Sequence, residues 1–243
     1  MKIEVWSDFV CPFCYIGKRR LEMALDQFPY KNDVEVEFKS FELDPNAPVY
    51  SGIGIDEMLA SKYGISIAEA KRNNIQIGRH AANIGLTFHF EEMKPTNTFD
   101  AHRLAKFAKE HGKEKEIVEN LLFAHFTESK NLSDVETLAN IAEASGLDRK
   151  EALHVIQNKN AYANDVRIDE EIARQYQITG VPYFIVNQKY AISGAQPLET
   201  FLNALQKVWE EENPKPKLQE LSSNGVNDAL CTDGSCLVSS KEK

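Results

Sequence analysis

The sequence predicts an α/β fold in which one mixed central sheet is split by an inserted all-helical domain. Three observations carry this expectation. Strand-like runs occur only toward the two ends: KIEVW (Lys2–Trp6) and VEVEF (Val34–Phe38) near the start, VPYFIV (Val181–Val186) and YAIS (Tyr190–Ser193) near the end. From about Ile55 to Gln177 the apolar residues recur with a helical period instead. Between the first two runs lies a helix-length segment, and such a crossover makes the two strands parallel. The expected division is a discontinuous sheet domain, 1–46 with 165–212, a helical insert, 47–164, and a flexible C-terminal tail, 213–243.

Each element has its own signal. In the first helix Cys14, Gly17, Leu21, Ala24, Leu25 and Phe28 define one inward face, and Phe28-Pro29 ends it. VEVEF alternates as a strand does, and LDPNAP (Leu43–Pro48) then breaks the chain. Three helix starts carry capping-box logic: Ser66 with Glu69, Ser133 with Glu136, and Asp148 with Glu151. Apolar stripes follow at Leu104/Phe107/Ala108, Ile117/Leu121/Leu122 and Val135/Leu138/Ala139/Ala142, and Gly146 ends a helix. VPYFIV and YAIS flank the turn-like Asn187-Gln188-Lys189 and read as a hairpin. The last helix starts at Pro197 and presents Leu198, Phe201, Leu202, Leu205 and Trp209 on one face. Beyond Glu210 the composition turns to Pro, Ser, Asn and Lys, with one short helical run at KLQEL (Lys217–Leu221).

Composition narrows the function classes. The 243 residues carry a formal charge of −9 without a basic cluster, which argues against a nucleic-acid partner. Lys18-Arg19-Arg20 is the densest basic run and reads as a solvated helix face. No segment approaches the ~20 apolar residues that cross a bilayer. Glu4 and Asp8 interrupt any signal-peptide core, so a cytoplasmic protein without a membrane partner is expected. Thiols there are held mostly reduced, and close cysteine pairs are more often catalytic or metal-binding than structural.

The stretch DFVCPFCYIGKRRLE places Cys11 where strand becomes helix. Pro12 suits the first helical position, where its missing N–H costs nothing. Cys11 then caps the helix, and the free N–H groups and positive dipole end favour its thiolate. Cys14 lies three residues on, at a Cα separation of about 5 Å, within reach of a disulfide. It starts the buried stripe and is the less exposed thiol. Cys11 therefore attacks and Cys14 resolves. Two other readings stand beside this one: a zinc site completed by Cys231 and Cys236, and a pair of core thiols.

Three segments, DFVCPFCYIGKRRLE, NTFDAHRLAKFA (Asn97–Ala108) and ITGVPYFIVN (Ile178–Asn187), together resemble the DsbA-type thioredoxin-fold oxidoreductases, and more narrowly their FrnE-like branch. The resemblance spans about residues 1–210. It implies a protein disulfide oxidoreductase with Cys11 as nucleophile and Cys14 as resolving thiol. It also implies a cis-proline at Pro182, where the backbone of Val181 pairs with bound peptide or thiol substrate. Substrates would be disulfide-containing proteins or low-molecular-weight thiols. No cofactor is implied beyond the Cys11–Cys14 dithiol, with glutathione left open as a co-substrate. Two departures stand out: Val5 occupies the place of a buried acid, and Phe13 that of a histidine. Without that imidazolium the couple is expected to be less oxidising than DsbA. Asp8 and Glu37 are the nearest substitutes for the acid, and neither is assigned.

Other features remain open. Cys231 and Cys236 flank Asp233-Gly234, a tight turn that suits a disulfide, and form an accessory redox pair or an independent tail bridge. His102, beside an apolar helix face, reads as a packing residue before a catalytic one. Asn97 reads as a helix cap before a groove residue. The six histidines lack metal spacing, and no metal is expected. The runner-up function is a glutathione-dependent isomerase or transferase like the 2-hydroxychromene-2-carboxylate isomerases and kappa-class enzymes, which typically carry Ser at the place of Cys11. A non-enzymatic holdase or zinc module is the third class.

Overall fold

Lys2–Ser7 forms β1, the strand on which the sheet is built. The computed structural model describes residues 1–50 and 52–214, and the backbone of 231–232 and 235–236. The helix α1 (Pro12–Gln27) connects β1 to β2 (Glu35–Ser40), and the two strands pair in parallel, Ile3 opposite Val36. β3 (Tyr183–Val186) runs antiparallel to β1, and β4 (Tyr190–Ser193) antiparallel to β3, giving the order β2-β1-β3-β4. Between β2 and β3, among the described residues, lie seven α-helices: α2 (Ile55–Tyr63), α3 (Ile67–Ala82), α4 (Phe99–Glu110), α5 (Glu114–Phe126), α6 (Val135–Ala144), α7 (Arg149–Gln157) and α8 (Ala163–Gln175). The helix α9 (Leu198–Glu212) follows the hairpin. Residues Met1–Glu212 cluster as one unit and Asn213–Lys243 as another.

As a central strand, β1 is covered on both faces. Ile3 and Val5 join Leu21, Ala24 and Phe28 of α1 and Phe201 and Leu205 of α9 in one core. Trp6, on the opposite face, packs with Ala173, Ile178 and Ile185, and its indole N–H donates to the Asp169 carbonyl at 3.1 Å. The helical insert has a separate core to which α1 lends Tyr15 and Ile16. A single helix thus serves two cores, which explains why it is buried more widely than one apolar stripe predicts.

The basic run on α1 is not a solvated face. Lys18 is only 4% exposed and bridges Glu22 at 2.6 Å and Glu119 of α5, and Arg19 reaches Glu119 at 2.9 Å. Arg20 donates to the carbonyls of Ala195 and Gln196. Burial pushes the Glu119 carboxyl up, but Lys18, Tyr15 and Arg19 together hold it below its ordinary range. The three cations therefore fasten α1 to the insert and to the loop after β4.

Two of the three predicted caps form as expected: Ser66 accepts from the Glu69 amide, and Asp148 from Lys150 and Glu151. The third shifts by one residue. Asp134 caps α6 by accepting from the Thr137 amide, because the Ser133 hydroxyl donates to the Asn97 carbonyl instead. In the hairpin Asn187 and Gln188 take φ of 50° and 54°, the pair of left-handed conformations that a two-residue turn requires. The Asn187 carboxamide anchors that turn by accepting from the Lys2 amide at 2.7 Å. The helical run at KLQEL lies outside the described residues. Among those described, no helix is long and apolar enough to cross a membrane.

Candidate active site

The site forms where β1 ends and α1 begins. Cys11 is the N-cap of α1 with extended backbone (φ −92°, ψ 112°), and Pro12 occupies the first turn. Its sulfur makes no capping bond, in contrast to the simplest expectation. It donates instead to the carbonyl of Val181 at 3.5 Å, across the Val181–Pro182 peptide, which is cis. The helix N-terminus and the loop before β3 therefore enclose Cys11, which is 5% exposed. Phe13, at 44%, is the exposed residue of the tetrad.

Cys14 is 2% exposed and unbridged to Cys11. Burial pushes its thiol well up, and the neighbouring Cys11 sulfur adds to this. The Ser7 hydroxyl and the Asp8 amide (N to Sγ, 3.4 Å) act in the opposite sense by hydrogen bonding to Cys14. The buried thiol thus holds its proton until a base takes it.

Close approach of the proline loop to α1 depends on Gly17. A Cβ there would lie 3.0 Å from Pro182 Cγ and 3.1 Å from Phe184 Cζ. A side chain at this position pushes against the loop that faces Cys11. In the sequence Gly17 is only one position of an apolar stripe, since helical spacing does not reveal what crosses a helix.

A buried charged cluster lies against the same corner. Asp8 is 1% exposed; its Oδ2 accepts from the Leu43 amide at 2.8 Å and its Oδ1 sits 3.3 Å from His102 Nε2. The Phe9 ring packs on His102 at 4.7 Å between centroids. Glu42 is close enough to feel His102; burial pushes its carboxyl up against the pull of Arg167 and His102. One Glu42 oxygen accepts from Arg167 at 2.6 Å, and the other is buried with no hydrogen-bond partner. Sequence spacing could not reveal this cluster, because its members come from four separate segments. Glu37, the other acid considered, is held elsewhere. Burial raises it, but hydrogen bonds from Lys109, Lys2 and Lys39 outweigh that and keep it well below the usual carboxylate range.

Asn97 serves the chain rather than a groove. Its oxygen accepts from the Phe99 amide at 2.9 Å, and its amide donates to the Ala47 carbonyl at 3.1 Å. In the C-terminal unit, Cys231–Thr232 (β5) pairs antiparallel with Ser235–Cys236 (β6), so the backbones of the two cysteines lie opposite each other.

His125 of α5 faces Asp8 from inside the insert. Burial pushes its imidazole down to about 4, although Asp8 and a backbone hydrogen bond with Lys130 favour the charged form. The unfolded chain then binds more protons than the folded one between about pH 6.5 and 4, so stability is full above that window and falls as pH falls through it. We expect a loss of about 2 kcal/mol between pH 7 and pH 5 in urea melts, removed in His125→Leu. An equally steep fall in that variant would refute the assignment.

A mixed four-stranded sheet covered on both faces, with helices inserted between its halves and a proline loop against the first helix, defines a thioredoxin-fold protein of the DsbA type. Residues 2–206 match the DSBA-like thioredoxin domain, and the chain belongs to that family. It is similar to the probable DsbA oxidoreductase SCO1869 of Streptomyces coelicolor, with 36% identity, a TM-score of 0.81, and 99% of this chain and 100% of that one covered. Protein YwbO of Bacillus subtilis (strain 168) is 29% identical over 204 residues, 84% of this chain and 94% of YwbO. A 2-hydroxychromene-2-carboxylate isomerase shares the fold at a TM-score of 0.69 and 16% identity, over 88% of this chain and 98% of the isomerase.

Proposed function

We propose that this protein is a thiol–disulfide oxidoreductase that acts through Cys11 and Cys14 on protein or small-molecule disulfides. The observation that supports it most is the contact of Cys11 with Val181. The thiol most able to react at the helix N-terminus hydrogen-bonds to a backbone carbonyl that an incoming peptide N–H could claim in its place. The Cys11 thiolate attacks a substrate disulfide and one substrate thiolate leaves. Cys14 then attacks Cys11, and the second thiolate departs. Two electrons pass from the dithiol to the substrate, and the reverse sequence oxidises. The Cys231/Cys236 pair is an accessory dithiol in this reading, and the protein works in the cytoplasm without a membrane partner.

Insulin reduction tests the proposal. Wild-type protein with dithiothreitol is expected to precipitate insulin chains, and protein alkylated beforehand with iodoacetamide is not. Insulin left intact by the wild type, together with glutathione conjugation or isomerase turnover that survives alkylation, would favour the glutathione-dependent alternative.

A further inference from the structure

We propose that Asp8 is a positioning residue for the resolving thiol: its carboxylate, held between the Leu43 amide and His102, fixes a backbone N–H on Cys14 Sγ and so favours the thiolate that attacks the mixed disulfide. This inference deepens the thiol–disulfide reading and rests on it. Cys14 attacks as a thiolate, and at 2% exposure its sulfur has little water to steady that charge. An N–H aimed at the sulfur steadies it instead, because a charged acceptor holds a hydrogen bond more strongly than a neutral thiol or disulfide does.

Asp8 meets both cysteines through its backbone. Its amide donates to Cys14 Sγ at 3.4 Å, and its carbonyl accepts from the Cys11 amide at 3.2 Å. The second bond closes a turn over Phe9 and Val10. Cys14 is the third residue of α1. In a capping box the side chain at that position draws an upstream N–H, and the Cys14 sulfur does the same with Asp8. Asp8 lies one residue past Ser7, the last paired residue of β1, so its own side chain must hold its peptide in place. The carboxylate is 1% exposed; Oδ2 accepts from the Leu43 amide at 2.8 Å and Oδ1 is 3.3 Å from His102 Nε2. Those anchors belong to the loop after β2 and to α4, so two distant segments set the direction of one N–H. Phe9 adds a third hold by packing its ring on His102.

The same anchoring keeps the carboxylate off the start of α1, which has no side-chain cap and no acid in its first turn. The free N–H groups there stay available to Cys11, with no carboxylate competing for them. The Ser7 hydroxyl also favours the Cys14 thiolate, and no substitution at Asp8 removes it. Asparagine separates holding from charge. It has the same shape, its oxygen can accept from Leu43, and its amide can donate to an unprotonated nitrogen of His102, but it carries no charge and takes no proton. In the step itself the Cys14 sulfur bonds to the Cys11 sulfur as the bond from Cys11 to substrate sulfur breaks. The departing thiolate takes up a proton in place of the one that Cys14 released.

Single-turnover trapping tests the assignment. Wild type, Asp8→Ala and Asp8→Asn are mixed with a disulfide-bonded peptide, quenched in acid, and the mixed disulfide at Cys11 is quantified by mass. Asp8→Ala is expected to prolong the mixed disulfide by about 10-fold, the size of one weakened hydrogen bond to a charged sulfur. Asp8→Asn should prolong it by less than about threefold, since the hold is kept. Capture by Cys11, measured in a Cys14→Ser background, should change by less than about threefold in both. Equal delay in the two variants assigns the effect to charge or proton transfer and overturns the proposal. So does wild-type resolution in Asp8→Ala, or capture slowed as much as resolution. Amide hydrogen exchange decides the matter where Asp8→Ala fails to fold. The Asp8 amide should exchange at least about 10-fold faster in Cys14→Ala than in the reduced wild type, and equal exchange overturns the proposal. A Cys14→Ser protein that never captures the peptide overturns the thiol–disulfide reading and the proposal with it, whereas normal capture beside any of the other negative results overturns the proposal alone.

Discussion

Cys11→Ser is expected to abolish insulin reduction, a fall of at least about 10³-fold, whereas Cys14→Ser should stop turnover but accumulate a mixed disulfide with substrate. The asymmetry follows from position. Cys11 stands at the helix N-terminus against the Val181 carbonyl, where a substrate strand can meet it. Cys14 is enclosed by Ser7, Asp8 and Cys11 and can reach only the sulfur beside it. A hydroxyl in place of Cys11 cannot form the first disulfide. A hydroxyl in place of Cys14 leaves that first step intact and blocks the second. Mass spectrometry of each variant after exposure to a disulfide peptide checks both halves. Equal capture by the two variants would contradict the assigned roles.

Asp169→Ala is expected to destabilise the protein by about 3–5 kcal/mol, the range for removing one partner of a buried ion pair. Asp169 projects from α8 to the sheet and is 4% exposed. One carboxylate oxygen accepts from the Ser40 amide at 2.8 Å and from Lys106, and the other lies 3.5 Å from Lys39. Lys39 retains Glu37 at 2.7 Å when the carboxylate is gone. Lys106 keeps no hydrogen-bonded carboxylate: its remaining hydrogen bond is to the Phe38 carbonyl at 3.3 Å, with only the charge of Glu114 nearby. A nearly buried ammonium left unpaired is the main cost, with the Ser40 amide a second. The cause can be separated by pairing Lys106→Met with Asp169→Leu, which removes both charges and should cost less than Asp169→Ala alone. Urea melts of the two variants beside wild type decide it. A single variant within about 1 kcal/mol of wild type would show that the pair contributes little.

Some of this architecture was legible in local sequence. Cys11-Pro12 marks the junction of strand and helix because proline has a fixed φ and no N–H, properties that hold wherever the residue sits. The strand runs and the caps at Ser66 and Asp148 rest on equally local chemistry, and so do the breaks at Pro29 and Gly146. Where neighbours compete for the same group, local reading slipped. Ser133 looked like a cap and gave its hydroxyl to Asn97 instead.

The sequence by itself determined the order of elements, the mixed α/β class and the place of the Cys11-Cys14 pair at a strand-to-helix junction, since periodicity and turn chemistry depend on residues a few positions apart. Tertiary structure alone decided what those elements face. VEVEF alternates as if one side met water, yet Glu37 is buried, because the insert supplies Lys109 to neutralise it and covers the face that alternation assigns to solvent. Lys18 likewise looked solvated and is held by Glu119, about a hundred residues away. His102 packs on Phe9 as a core residue does, and the fold also sets it beside Asp8, 94 positions earlier in the chain. The physical reason is the same in each case. A charge is tolerated in the interior only by a partner, and the partner's distance along the chain leaves no mark on the local pattern.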